Sequence, residues 1–229
     1  VGAILLIRRT PLPSPRVVRF GIVQSLVNLT IPYIMFTLAY DEASDTLYLG
    51  SNLGGVWRGH FDADSPDPGQ LGWQPIGDGI YGASMQVLRL DGPPEVLLKT
   101  WGDAWTGEVH RSADGGTTWQ VVSGIAGRPR RLIAMGDPME TVFLVADDPN
   151  HWNGPAYTRL YRSLDLGATF DSILFLDNFK GDVWTSRTGY GPLYLLVDHQ
   201  LKVSTDLGDT WSEVGSLPTS SYGGAVNFS

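Results

Sequence analysis

The sequence predicts an all-β chain, a β-propeller built from four-stranded antiparallel blades. Three observations predict it. The composition is rich in turn formers, with 28 Gly, 15 Pro and 19 Asp against only 3 Lys and 5 Glu, a balance that favours turns over helices. One eight-residue pattern, Ser-x-Asp-x-Gly-x-x-aromatic, occurs three times. Short apolar runs flank each copy, four to a unit, and the units repeat at roughly 40–50 residues, the period of propeller blades.

The three copies are Ser112-Ala-Asp114-Gly-Gly116-Thr-Thr-Trp119, Ser163-Leu-Asp165-Leu-Gly167-Ala-Thr-Phe170 and Ser204-Thr-Asp206-Leu-Gly208-Asp-Thr-Trp211. Each has a strand-like run before it and another after it, which places it at a hairpin turn. The residue types suit such a turn. Carboxylate and hydroxyl oxygens accept backbone N–H groups, glycine supplies a positive φ, and the aromatic ring folds back as an apolar plug. The segment from Asp62 to Trp73 reads as a fourth, degenerate copy carrying an insertion.

The remaining strands follow from position. Second strands are expected at Thr46–Gly50, Glu95–Thr100, Thr141–Ala146 and Leu193–Val197. First strands are expected at Ile34–Tyr40, Met85–Leu90, Arg130–Met135 and Val183–Arg187. Residues 34–229 thus hold four blades, with Ala225–Ser229 as the opening strand of a further one. Residues 1–33 are expected to form a degenerate blade or the remnant of an anchor, giving about four to five blades and an incomplete ring.

These motifs resemble the Asp-box (BNR) repeats of sialidases, sortilin-type receptors, xyloglucanases and photosystem assembly factors. Tyr33–Gly59, with Leu-Ala-Tyr-Asp, Leu-Tyr-x-Gly and Gly-Val-Trp-Arg, is similar to the opening of such a repeat. The resemblance implies the propeller fold and does not choose among those functions, because the box residues are structural.

Composition excludes several classes. A net charge of −8 argues against nucleic acid as a partner, which requires a basic face. With no cysteine there is no disulfide, thiol catalysis or Cys-based metal site. Neither a cofactor nor a metal is implied: Asp62, Asp64 and Asp67 fit a turn better than a Ca²⁺ loop. Membrane association is expected only through the N-terminal segment. Phe20–Tyr40 is uncharged and long enough to span a bilayer, but its polar residues and its fit to the repeat favour a strand at its end.

Propeller geometry sorts the loops. The boxes join third to fourth strands on one face, so second-to-third loops lie on the other. There the sequence places Trp101, Asp103 and Trp105, and in the next blade Asp147, His151, Trp152 and Tyr157. Flat rings beside carboxylates suit a sugar, the ring stacking on the pyranose and the acid accepting its hydroxyls. The same residues also suit inter-blade packing and turn capping. Glutamate is scarce and only Glu108 lies near this face, whereas glycoside hydrolysis requires a pair of acids. Arg58, Arg111 and Arg162 are expected as ion partners of their hairpins, and Arg128, Arg130 and Arg131 as a solvated basic spot. The expected function is an extracytoplasmic, non-catalytic binding or scaffold subunit for a protein or glycan partner; the alternative is a glycoside hydrolase of the sialidase or glucanase kind.

Overall fold

The computed structural model describes residues 36–41, 44–51, 55–60, 72–76, 84–91, 95–102, 107–136, 140–147, 157–176, 181–185, 191–197 and 199–216. Among these every regular element is a strand. The first blade comprises β1 (Phe36–Asp41), β2 (Thr46–Ser51), β3 (Gly55–His60) and β4 (Gln74–Ile76), and the second β5 (Ser84–Leu90), β6 (Val96–Gly102), β7 (Gly107–Ser112) and β8 (Gln120–Val121). The third holds β9 (Arg128–Met135), β10 (Thr141–Asp147), β11 (Thr158–Ser163) and β12 (Asp171–Leu176), and the fourth β13 (Gly181–Thr185), β14 (Leu193–Val197), β15 (Gln200–Ser204) and β16 (Ser212–Ser216). Each blade is a separate antiparallel meander in sequence order. The first strand of the opening blade is therefore a strand in the repeat register. No described helix is long and apolar enough to cross a membrane. Residues 1–35 and Ala225–Ser229 lie outside the described residues.

Burial follows from stacking. Val142 to Ala146 of β10 are all buried, as expected of an apolar strand covered on both faces. One side (Val142, Leu144, Ala146) packs with Leu98, Val109 and Val122 of the second blade, and the other (Phe143, Val145) with Val183, Leu193 and Leu195 of the fourth. Val56 and Ile76 of the first blade meet Val87 and Leu97 of the second in the same way. The core is thus three sandwiched layers between four blades.

The three described boxes have one geometry. The serine hydroxyl accepts the glycine N–H at 2.8 Å in all three and donates to the aspartate at 2.7, 2.7 and 2.8 Å. The other partner of the aspartate was not singled out above: Thr118, Thr169 and Thr210 each give it their N–H at 2.8–2.9 Å and their hydroxyl at 2.5–2.6 Å. The repeat is Ser-x-Asp-x-Gly-x-Thr-aromatic.

The box also locks neighbouring blades together. Its glycine has a positive φ (91°, 76° and 91°), and so does the residue before it, Gly115, Leu166 or Leu207 (65°, 56° and 57°). This double left-handed bend presses the glycine on the preceding blade. A Cβ on Gly116 would lie 2.5 Å from Ile76, on Gly167 2.6 Å from Leu98, and on Gly208 2.7 Å from Ile173. The plugs go the same way: Trp119, Phe170 and Trp211 pack into the layer shared with the preceding blade.

Arg111 and Arg162 hold these contacts from the other side, which corrects their expected role as partners of their own hairpins. The Arg111 Nε donates to the Leu166 carbonyl of the next blade at 2.9 Å. Arg162 donates to the Leu207 carbonyl at 3.0 Å and to Asp209 at 2.7 Å. A guanidinium fits because the left-handed residue turns its carbonyl outward, toward the neighbouring blade. Arg58 makes no such bond to a described residue.

Two left-handed residues per box set opposite responses to substitution. Leu207 is 39% exposed, so Leu207→Gly relieves left-handed strain at little packing loss and is expected to raise unfolding free energy by about 0.5–1 kcal/mol. Gly167→Ala meets both strain and overlap with Leu98 and is expected to cost roughly 2–4 kcal/mol. Urea denaturation of the two variants measures both.

The carboxylates set the acid limit. Hydrogen bonds from the Thr118 and Thr210 side chains, then from their N–H groups and the box serines, hold Asp114 and Asp206 down at about 2, against an ordinary 3.8. At Asp165 burial pushes upward, yet the bonds from Thr169 and Ser163 outweigh it and the value is lowered. A depressed carboxylate stabilises the fold above its unfolded value and loses that contribution as pH falls through its folded one. Stability is therefore expected to fall between about pH 4 and pH 2. Asp165→Ala should cost about 1–2 kcal/mol at neutral pH and flatten the acid limb in melts recorded across that window.

Candidate functional site

The second-to-third loop face is built on strand ends. Trp101 lies near the end of β6, paired with Glu108, and Asp147 ends β10, opposite Thr158. Tyr157 immediately precedes β11. These three candidate residues sit at the same end of adjacent blades, each half-buried. Asp103, Trp105, His151 and Trp152 lie outside the described residues.

Asp147 is the centre of an ion network spanning two blades. Its carboxylate takes the Arg130 Nε at 2.9 Å and the Thr158 hydroxyl at 3.1 Å. Arg130 also reaches Asp182 of the fourth blade at 3.3 Å, and Arg131 meets the same carboxylate at 3.3 Å. Arg131 further donates to the Val183 carbonyl at 3.4 Å and sits 5.9 Å from the centroid of the Trp184 ring. The expected solvated basic spot is thus corrected for Arg130 and Arg131. Both lie on the first strand of their blade, within reach of the next, so they bridge inner strands.

Tyr157 belongs to a second cluster. Its ring lies 5.3 Å from that of Phe175, tilted by 52°. The Arg159 guanidinium stacks on both, 4.5 Å from Phe175 and 5.5 Å from Tyr157. Phe175 is 46% exposed. Phe175 and Arg159 were not singled out in the sequence, where they read as ordinary strand residues. Their register pairing across β11 and β12 is the signal that places them together.

Lys99 is the other residue missed. It lies on β6 opposite His110, is 0% exposed, and its Nζ has no hydrogen-bond partner among the described residues. Burial pulls it down to about 8 against the opposing field of Glu108. His110 is lowered too, by burial and then by Lys99, although it hydrogen-bonds Glu108 at 3.0 Å. Lys99, Trp101, Glu108 and His110 thus form a two-by-two patch on β6 and β7. No group of three or more described metal-ligating residues comes together.

Comparison with known structures fits this geometry. The GH74 enzyme of Niastella koreensis superposes with a TM-score of 0.55 at 18% identity, over 77% of this chain and 28% of that one. The chain has the Asp-box β-propeller fold. Other solved structures align with lower scores: YCF48 from Cyanidioschyzon merolae (TM-score 0.49, 14% identity, 82% of this chain and 57% of that one) and the Hadza microbial sialidase Hz136 (0.47, 19%, 80% and 46%). The chain spans little more than a quarter of the length of the Niastella enzyme. Neither a protein-family model nor a curated protein sequence matches it.

The buried amine gives a pH test. A lysine lowered by folding destabilises the native state below its folded value, and the penalty disappears above its unfolded one. Stability is expected to rise from about pH 8 to about pH 10.5, the ordinary lysine value. Lys99→Met should abolish that rise and add roughly 2–4 kcal/mol at pH 7. Guanidinium titrations at several pH values measure both.

Proposed function

We propose that this chain is an extracytoplasmic, non-catalytic propeller whose second-to-third loop face binds a glycan or protein partner. The observation that supports it is the state of two described aspartates on that face. Asp147 and Asp182 are each held by an arginine within 3.3 Å, so they act as fixed acceptors in a charge lattice. Glycoside hydrolysis uses two acids facing each other across a gap, one of them a proton donor. Rings stand at the same end of these blades: half-buried Trp101 on the second, half-buried Tyr157 and exposed Phe175 on the third. An aromatic ring beside an oriented, charge-balanced polar network is what a sugar face or a protein hot spot requires.

The alternative reading, a glycoside hydrolase, rests on Glu108. It is exposed beside Trp101 in the register and hydrogen-bonded to His110. Activity toward a panel of plant and microbial polysaccharides that disappears in Glu108→Gln would favour this reading over the first.

Binding to a glycan array and to immobilised candidate partners tests the proposal, with Trp101→Ala and Tyr157→Ala read beside thermal melting. Affinity is expected to fall at least about tenfold, the usual effect of removing a central aromatic anchor, at unchanged melting temperature. Full affinity in both variants, or loss that merely tracks melting temperature, sinks the idea.

A further inference from the structure

Arg111 and Arg162 do the same job in neighbouring joints, yet their electrical surroundings differ. In the joint of the third and fourth blades, Arg162 is matched by acids. Its Nη1 bonds Asp209 at 2.7 Å, and Asp171 stands opposite it in the register of β11 and β12. In the joint of the second and third blades both of those positions are neutral. Gln120 stands opposite Arg111 where Asp171 stands opposite Arg162. Ala168, the residue after the box glycine, takes the place of Asp209. Arg111 makes no ion pair with a described residue, and its bond to the Leu166 carbonyl uses Nε alone. Both terminal amino groups of this half-buried guanidinium are therefore left without a described protein acceptor.

The same side chain lines a surface pocket of about 190 Å³ between the two blades. Thr118, Gln120, Ser123 and the buried Val122 line it from the second blade, and Ala168 from the third; no acid is among the lining residues. Thr118 gives its N–H and its hydroxyl to Asp114. The Gln120 amide and the Ser123 hydroxyl are exposed and bond no described residue. The donors open to a ligand are thus one guanidinium, one amide and one hydroxyl. A guanidinium fork matches a planar carboxylate in two parallel hydrogen bonds, and one positive charge balances one such acid. The volume is below the range of about 300–1,000 Å³ usual for drug-sized ligands, so the pocket suits a small group.

We propose that this pocket binds a carboxylate-bearing ligand, whose acid takes the place at Arg111 that Asp209 holds at Arg162. Gln120 and Ser123 donate to the oxygens beside that acid. A free sugar acid and an acidic side chain of a peptide offer the same group. The pocket lies at the box end, opposite the face of Trp101 and Tyr157, so it stands or falls apart from the site proposed above.

NMR titration of the full 229-residue chain at low salt tests this. Glucuronate at millimolar concentration is expected to give saturable shifts at Arg111, Gln120 and Ser123, and glucose, its neutral counterpart, none. An end-blocked Ala-Asp-Ala tripeptide distinguishes the source of the acid. Tighter binding than glucuronate assigns the pocket to a protein side chain, and weaker binding to a free acid; either result supports a carboxylate site. Ala168→Asp, at an exposed position, rebuilds the Arg162 arrangement with a tethered acid that competes at high effective concentration. It is expected to weaken glucuronate binding at least about tenfold while the melting temperature holds or rises. Gln120→Asp, also exposed, repeats that arm if Ala168→Asp does not fold. Absence of saturable shifts at Arg111 overturns the proposal, as do equal binding of glucose and full affinity in the folded aspartate variants.

Discussion

The structure depends on one constraint: two successive residues held in the left-handed region at each of the three described box hairpins. Leu166 and Leu207 show that the constraint is imposed on the chain, because leucine adopts that conformation only at a cost of about 1–2 kcal/mol. Four hydrogen bonds around the Asp165 carboxylate and the Ser163 hydroxyl, from Gly167, Thr169 and Ser163 itself, supply the compensation. The bend does two things at once. It sets the glycine flush against the preceding blade, and it turns a carbonyl toward an arginine from that same blade. A local turn motif is therefore also the inter-blade joint, which explains how the described sheets, with no hydrogen-bonded strand pairing between them, keep their places.

Much of this fold could be read from the residues, for a physical reason. Strands and box turns are set by neighbours in sequence, so Ser204-Thr-Asp206-Leu-Gly208 declares its hairpin wherever it occurs. Leu193–Val197 matched its expected bounds, and the other strands shifted by a few residues at their ends. The box threonine was visible in all three copies and was passed over, since threonine in a turn is ordinary until its two bonds to one carboxylate are seen. The roles of Arg111 and Arg162 were not readable. Each acts on a carbonyl 55 or 45 residues away, and spacing within a repeat cannot say which blade a long side chain faces.

The candidate site shows the same division. Trp101, Asp147 and Tyr157 could be assigned to the second-to-third end of their blades because loop order in a meander is topological. What those residues do there depends on partners from other strands: Arg130 on Asp147, Phe175 and Arg159 on Tyr157. None of these pairings has a sequence signature. Lys99 was hidden for another reason. A lone lysine in a strand is normally solvated, and only complete burial with an unpartnered amine marks it as unusual.

The two ends of each blade thus carry different burdens. At the box end, every residue of the motif is committed to the joint, and its identity is fixed by a bond or a contact distance. At the opposite end the inner strands are held by long-range polar bridges instead. Gln86 exchanges two bonds of 2.7 Å with the main chain of Leu132, and Arg130 and Arg131 reach Asp182 of the next blade. Such bridges anchor strand ends without prescribing the loops that leave them. Trp101 and Tyr157 stand where that prescription ends, at the ends of strands that the neighbouring blades hold in place. A surface of this kind can change its ligand without changing the fold beneath it. For that reason the box identifies the architecture here, while the rings and arginines at the other end carry the functional argument.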